Sequence, residues 1–195
     1  MRHSIPRMVL SRASCYASHP VFREKVDGHY IDIGWEKFVA QLRSRARGLL
    51  AMHLQPGERV AIMAPNSPQW AWADLAIQAG GGITVPVYHT DELANTLYLL
   101  SDSGSRLLFV WSPLVAKELL DNLNRTPALE KIILLTGNLD DPRVIPLQDF
   151  LRPPDAVLDQ TFEQRLAMGK ANDIASIVYT SGTTGNPKGV MLSHR

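Results

Sequence analysis

The sequence predicts an α/β fold, a mostly parallel sheet of βαβ units with helices on both faces. Two observations predict it. Short apolar, β-branched runs alternate with longer segments whose apolar residues recur at helical spacing, and this rhythm suits parallel strands joined by helical crossovers. Glycine, proline or a capping residue also falls at most of the junctions. The 195 residues are 45% hydrophobic and 20% charged, enough for a sizeable core without staples.

Residues 29–33 alternate like a short strand. Trp35, Phe38, Val39, Leu42, Ala46, Leu49 and Leu50 then follow a helical period that Pro56-Gly57 closes, with Arg43, Arg45 and Arg47 read as a solvated face. Residues 59–63 (RVAIM) read as a buried strand. Asn66 or Ser67 caps the next helix, which has Pro68 in its first turn, carries Trp70 and Trp72 as packing residues, and stops at Gly80-Gly81-Gly82. Residues 83–87 form a strand whose Pro86 implies a strand end or an edge. A helix over about 91–101, a strand over 107–110, a helix over 113–124 and a strand over 131–135 continue the pattern. The proline-bearing stretch 136–154 reads as a loop or subdomain edge, followed by a short helix over 155–168. Residues 1–27 form an N-terminal segment to which no element is assigned.

Composition narrows the partners. Twenty basic and 19 acidic residues nearly cancel, so nothing points to nucleic acid or an anionic surface. The single Cys15 forms no internal disulfide and has no activating neighbours, and no Cys/His cluster has zinc spacing. No apolar run approaches the roughly 20 residues of a membrane span, and the N-terminus lacks a secretory apolar stretch. These features point to the cytoplasm. His89 and His194 read as structural, and Asp91-Glu92 shows no partner for acid–base work.

The chemistry lies near the C-terminus. The strand-like 174–179 (IASIVY) runs into Thr180-Ser181-Gly182-Thr183-Thr184-Gly185-Asn186-Pro187-Lys188-Gly189, and 190–192 again looks like a strand. Glycines let the backbone approach a ligand closely, and successive N–H groups form a nest for anions. The hydroxyls of Thr180, Ser181, Thr183 and Thr184 add donors, and Lys188 adds a positive charge. A Walker A loop needs glycine where Pro187 stands, and the dinucleotide G-x-G-x-x-G is absent. Both of those motifs also feed a helix, whereas this loop lies between strands. Gly/Thr/Ser segments between strands are usually solvated turns, but the ordered motif with Lys188 argues for a phosphate loop.

Residues 179–190, YTSGTTGNPKGV, closely resemble the signature loop of adenylate-forming (AMP-binding) enzymes, and Met191-Leu192-Ser193-His194 matches its continuation. Residues 57–70 and 80–90, and the helix from Trp35, resemble the early core of the same superfamily, so the likeness covers roughly 28–195. The segments Asn66-Ser67-Pro68-Gln69-Trp70 and Pro86-Val87-Tyr88-His89-Thr90 look most like the long-chain fatty acid–CoA ligase branch. Medium-chain and aryl-acid CoA ligases and carrier-protein adenylation enzymes stay open.

The resemblance implies a fold in which residues 28–195 are an incomplete part of the large N-terminal domain, with the C-terminal domain absent. It implies ATP and Mg²⁺ as cofactors and CoA as co-substrate. Thr180, Ser181, Gly182, Thr183, Thr184, Gly185 and Lys188 would bind the phosphates, and Thr180 would help hold the metal. Family members are much longer. Their adenine and ribose contacts, a second metal-binding residue, most of the acyl pocket and an adenylation lysine would fall after Arg195, so the polypeptide alone is expected to be inactive. A sheet cut there would leave apolar surface uncovered, which predicts self-association. Peripheral membrane contact, which some fatty-acid-activating enzymes show, stays open, as does a non-catalytic module as a second class of function.

Overall fold

The computed structural model describes residues 3–180 and 186–195. Its centre is a seven-stranded sheet in which β3 (Arg59–Met63), β4 (Ile83–Val87), β5 (Leu107–Val110), β6 (Lys131–Leu134), β7 (Val144–Pro146) and β8 (Ile174–Thr180) run parallel, and β9 (Lys188–Ser193) returns antiparallel to β8. The spatial order is β7-β6-β5-β3-β4-β8-β9. The expected mostly parallel sheet is therefore present.

Side-chain alternation on the strands divides the core. Val60, Ile62, Leu107, Phe109 and Ile133 face one layer, built from α2 (Trp35–Ala51), α3 (Pro68–Ala79) and α7 (Ala156–Met168). Ala61, Met63, Leu108, Val110, Ile132 and Leu134 face the other, with α4 (Leu93–Ser103) and α5 (Pro113–Leu120). Continuous apolar strands such as RVAIM follow from being covered on both sides. Ser67 caps α3, its Oγ accepting from Trp70 N–H at 3.3 Å with Pro68 in the first turn, a contact of the kind worth about 1 kcal/mol. Asp155 caps α7 in the same way through Leu158 N–H at 2.9 Å.

The structure adds elements where the sequence showed none. Within the N-terminal segment, α1 (Ile5–Arg12) sits beside α3 and α7, and β1 (Pro20–Val26) pairs antiparallel with β2 (His29–Gly34) as a separate ribbon. The exposed charges of Arg23, Glu24 and Lys25 hide the alternation of β1. Within 136–154, expected as a loop, β7 extends the sheet and α6 (Leu147–Phe150) buries Phe150 against Phe109, ring centroids 5.4 Å apart. Three- and four-residue elements are too short to leave a period.

Pro86 is not on an edge strand, because β4 lies between β3 and β8. The ladder between β4 and β8 holds only at Thr84 and Ser176, so Pro86 falls beyond it, near the strand end.

The arginines of α2 are the clearest correction, for they are not a solvated face. Arg45 is fully buried, its guanidinium stacked 5.1 Å over the Trp72 ring and bonded to Gln41 (2.6 Å) and Gln69. Burial lowers its pKa to about 10. Arg47 is also buried and pairs with Asp159 at 2.7 Å, holding that carboxyl below the usual range. Arg43 lies over Phe162 and pairs with Glu163 at 2.6 Å. Helix α7, distant in sequence, covers this side of α2 with carboxylates in register.

Candidate phosphate-loop site

β3 and β4 are neighbours, yet β3 leads into α3 on one face and β4 into α4 on the other. The two connections therefore part at the carboxyl ends of the strands, the place where open α/β sheets bind ligands. A cavity of about 610 Å³ opens there. Asn66 and Trp70 line it from the β3–α3 side, Tyr88, His89 and Asp91 from the β4–α4 loop, and Asn95 and Leu99 from α4. Val178, Tyr179 and Pro187 of the β8–β9 hairpin close it. Trp70 thus borders the cavity while Trp72 is core. Asp91, unpartnered as a sequence feature, accepts from Asn95 Nδ2 at 2.9 Å.

The hairpin carries the predicted loop at this same edge. Thr180 and Lys188 pair across it, both exposed, and Lys188 rather than Val190 begins β9. Ser181, Gly182, Thr183, Thr184 and Gly185 lie outside the described residues. Two side chains of α4, neither of which sequence reasoning singled out, reach the loop's stems. Tyr98 Oη donates to Pro187 O at 3.2 Å, and Asp102 Oδ2 accepts from Tyr179 Oη at 2.6 Å. Burial, and then the adjoining Asp102 carboxylate, push the Tyr179 phenol well above its ordinary pKa. The Tyr179 ring lies across Gly189, where an added Cβ would stand 3.2 Å from Tyr179 Cζ and 2.8 Å from Ile177 Cγ2. The loop's last glycine therefore makes room for its first aromatic.

His194 is half-buried and structural in its contacts. Its Nδ1 accepts from Ile5 N–H at 3.3 Å, and desolvation lowers its pKa. His89 borders the cavity without a hydrogen-bond partner among the described residues. Cys15 is exposed. Among the described residues no cluster of three or more His, Cys, Asp or Glu could hold a metal ion. Thr180 offers one hydroxyl, which suits Mg²⁺ only where phosphate and water supply most of its oxygens. No described helix is long and apolar enough to cross a membrane. On the edge strand β9, Val190, Met191 and Leu192 are exposed.

The fold, with the hairpin at the carboxyl edge of its mostly parallel sheet, defines an α/β domain with helices on both faces. The sequence pattern of the AMP-binding enzyme family matches residues 11–195. The chain belongs to that family. It is 30% identical over 191 residues to the long-chain-fatty-acid–CoA ligase FadD15 of Mycobacterium tuberculosis, covering 97% of this chain and 31% of that protein. It is 28% identical over 193 residues to the human long-chain-fatty-acid–CoA ligase ACSBG1, covering 91% of this chain and 27% of that protein. The chain thus spans less than a third of the length of these relatives.

Two solved structures share the fold. One is the luciferase-like enzyme from the nonluminescent Zophobas morio mealworm, with a TM-score of 0.80 and 20% identity over 100% of this chain and 43% of that one. The other is the anthranilate CoA ligase AuaEII in complex with anthranoyl-AMP, with a TM-score of 0.76 and 18% identity over 100% of this chain and 36% of that one.

Proposed function

We propose that these residues form the phosphate-binding part of an AMP-forming acid–thiol ligase that activates a long-chain fatty acid. The observation that supports it is the Thr/Ser/Gly/Lys motif whose two stems, at Thr180 and Lys188, pair as a hairpin at the carboxyl edge of the parallel sheet, in a chain similar to long-chain-fatty-acid–CoA ligases at 30% identity. The fatty-acid carboxylate attacks the α-phosphorus of ATP, forming an acyl-adenylate and releasing pyrophosphate. The thiol of CoA then attacks the acyl carbon and AMP departs.

The chain supplies charge neutralisation and position rather than a nucleophile. Lys188 offsets negative charge on the β- and γ-phosphates, and Ser181, Thr183 and Thr184 donate to their oxygens. Gly182 and Gly185 let the backbone N–H groups approach. Thr180 would contribute one oxygen to Mg²⁺, which when bound would neutralise phosphate charge. The enzyme acts in the cytoplasm, with any membrane contact peripheral.

Acid-dependent pyrophosphate exchange by the full-length enzyme, measured over a panel of acids, tests the substrate class. Long-chain fatty acids are expected to give the fastest exchange, and a clear preference for aryl or medium-chain acids would overturn that assignment. The 195-residue polypeptide, run in parallel, is expected to release no pyrophosphate above blank. Its exposed Val190, Met191 and Leu192 favour self-association, which a monomeric mass by light scattering at high concentration would contradict.

A further inference from the structure

α4 presents two neighbouring sets of side chains at the carboxyl edge of the sheet. Asn95 and Leu99, four residues apart, line the cavity. Tyr98 and Asp102, also four apart, reach the hairpin. Their two bonds fall on opposite stems of the phosphate loop. Asp102 takes the Tyr179 hydroxyl next to the last residue of β8, and the Tyr98 hydroxyl holds the Pro187 carbonyl just before β9 begins.

Ile177 and Tyr179 of β8 pack on the core, but the backbone ladder does not reach the loop. β4 and β8 pair in register at Thr84 and Ser176, near the other end of β8, and β9 is an edge strand exposed along most of its length. A loop that neutralises the leaving pyrophosphate must be held to a fraction of an ångström, since a displacement of about 1 Å costs on the order of a hundredfold in rate.

We infer that Tyr98, Asp102 and Tyr179 are positioning residues that clamp both stems of the phosphate loop to α4 and so set where Lys188 meets the phosphates. This rests on the phosphate-loop reading above. The Asp102–Tyr179 bond is the stronger arm because its acceptor is charged. The Tyr98 arm fixes the exit stem, from which Lys188 follows directly.

Four single substitutions and one pair test the clamp in the full-length enzyme by acid-dependent pyrophosphate exchange. Tyr179→Phe and Asp102→Leu are each expected to lower kcat about tenfold, the loss typical of one charge-assisted hydrogen bond. They should also raise the KM for ATP while leaving the KM for the acid unchanged. Tyr98→Phe is expected to have a smaller effect in the same sense, and Tyr98→Phe with Tyr179→Phe a larger one. Asp102→Asn keeps an oxygen that accepts from Tyr179 and should stay within about threefold of wild type, whereas a purely packing role would leave Asp102→Leu, which keeps the bulk without the acceptor, equally active.

Hydrogen exchange on the 195-residue chain gives an independent reading. The double phenylalanine variant should lose amide protection at 186–190 while β3 to β6 keep theirs. Unchanged kcat and ATP KM in the double variant, with Lys188→Ala strongly impaired, would overturn the clamp and leave the phosphate-loop reading standing. No effect of Lys188→Ala would remove that reading instead, and exchange protection at 186–190 would then decide the clamp: loss supports it, and retention overturns it.

Discussion

Lys188→Ala is expected to slow adenylate formation by about a hundredfold or more, the scale seen when one preorganised charge-stabilising group is removed. Lys188 is exposed at the first position of β9, opposite Thr180, and makes no ion pair among the described residues. Its removal therefore costs the fold almost nothing, and the thermal midpoint should not move. The loss should appear in the adenylation half-reaction, with transfer from preformed acyl-adenylate to CoA largely spared. Arginine would keep the charge but place it on a planar fork, so Lys188→Arg should recover only part of the rate. Single-turnover adenylation kinetics on the full-length enzyme check this, and a wild-type rate in Lys188→Ala would remove the assigned role.

Gly48→Ala is expected to destabilise the domain by about 2 kcal/mol, although alanine is the better helix former. Gly48 lies inside α2, against Phe150 at the end of α6. An added Cβ would stand 2.6 Å from the Phe150 carbonyl oxygen and 2.7 Å from its Cζ. Helix propensity favours the substitution by about 1 kcal/mol. The clash costs more, about 3 kcal/mol at the upper end of overpacking, because one obstructing atom belongs to the backbone and cannot rotate away. Phe150 in turn packs edge-on against Phe109 of β5, so displacing α6 disturbs the sheet. Urea unfolding of the 195-residue chain reads the effect, and a midpoint at or above wild type would contradict it.

Much of this architecture was legible in the sequence, for a physical reason that also marks where legibility ended. Strands β3 to β6 are covered on both faces, so they read as short, mostly apolar runs. Long helices such as α2 keep a clear period, and the loop is a fixed order of residue types whose meaning needs no tertiary partner. β7 and α6 are too short to carry a pattern, and β1 is exposed along most of its length.

Arg45 and Arg47 show a different kind of failure. Arginines off the apolar stripe of a helix ordinarily face water; beside the nearby Gln41, it is Gln69, Trp72 and Asp159, set 24, 27 and 112 residues away, that make their burial tolerable. The clamp residues are illegible for the same reason. Tyr98 and Asp102 sit on an ordinary helix, and their partners lie 89 and 77 residues further along the chain. Within the candidate site, the motif carries its pattern in the sequence, and the side chains bonded to its stems do not.

The central claim is that the hairpin loop receives phosphate. Amide chemical-shift mapping of the 195-residue chain, titrated with magnesium pyrophosphate to millimolar concentration, tests it most directly. The account predicts that the largest shifts fall on residues 180–189 and that Lys188→Ala abolishes them. Shifts centred elsewhere in the chain, or none at these positions, would contradict it.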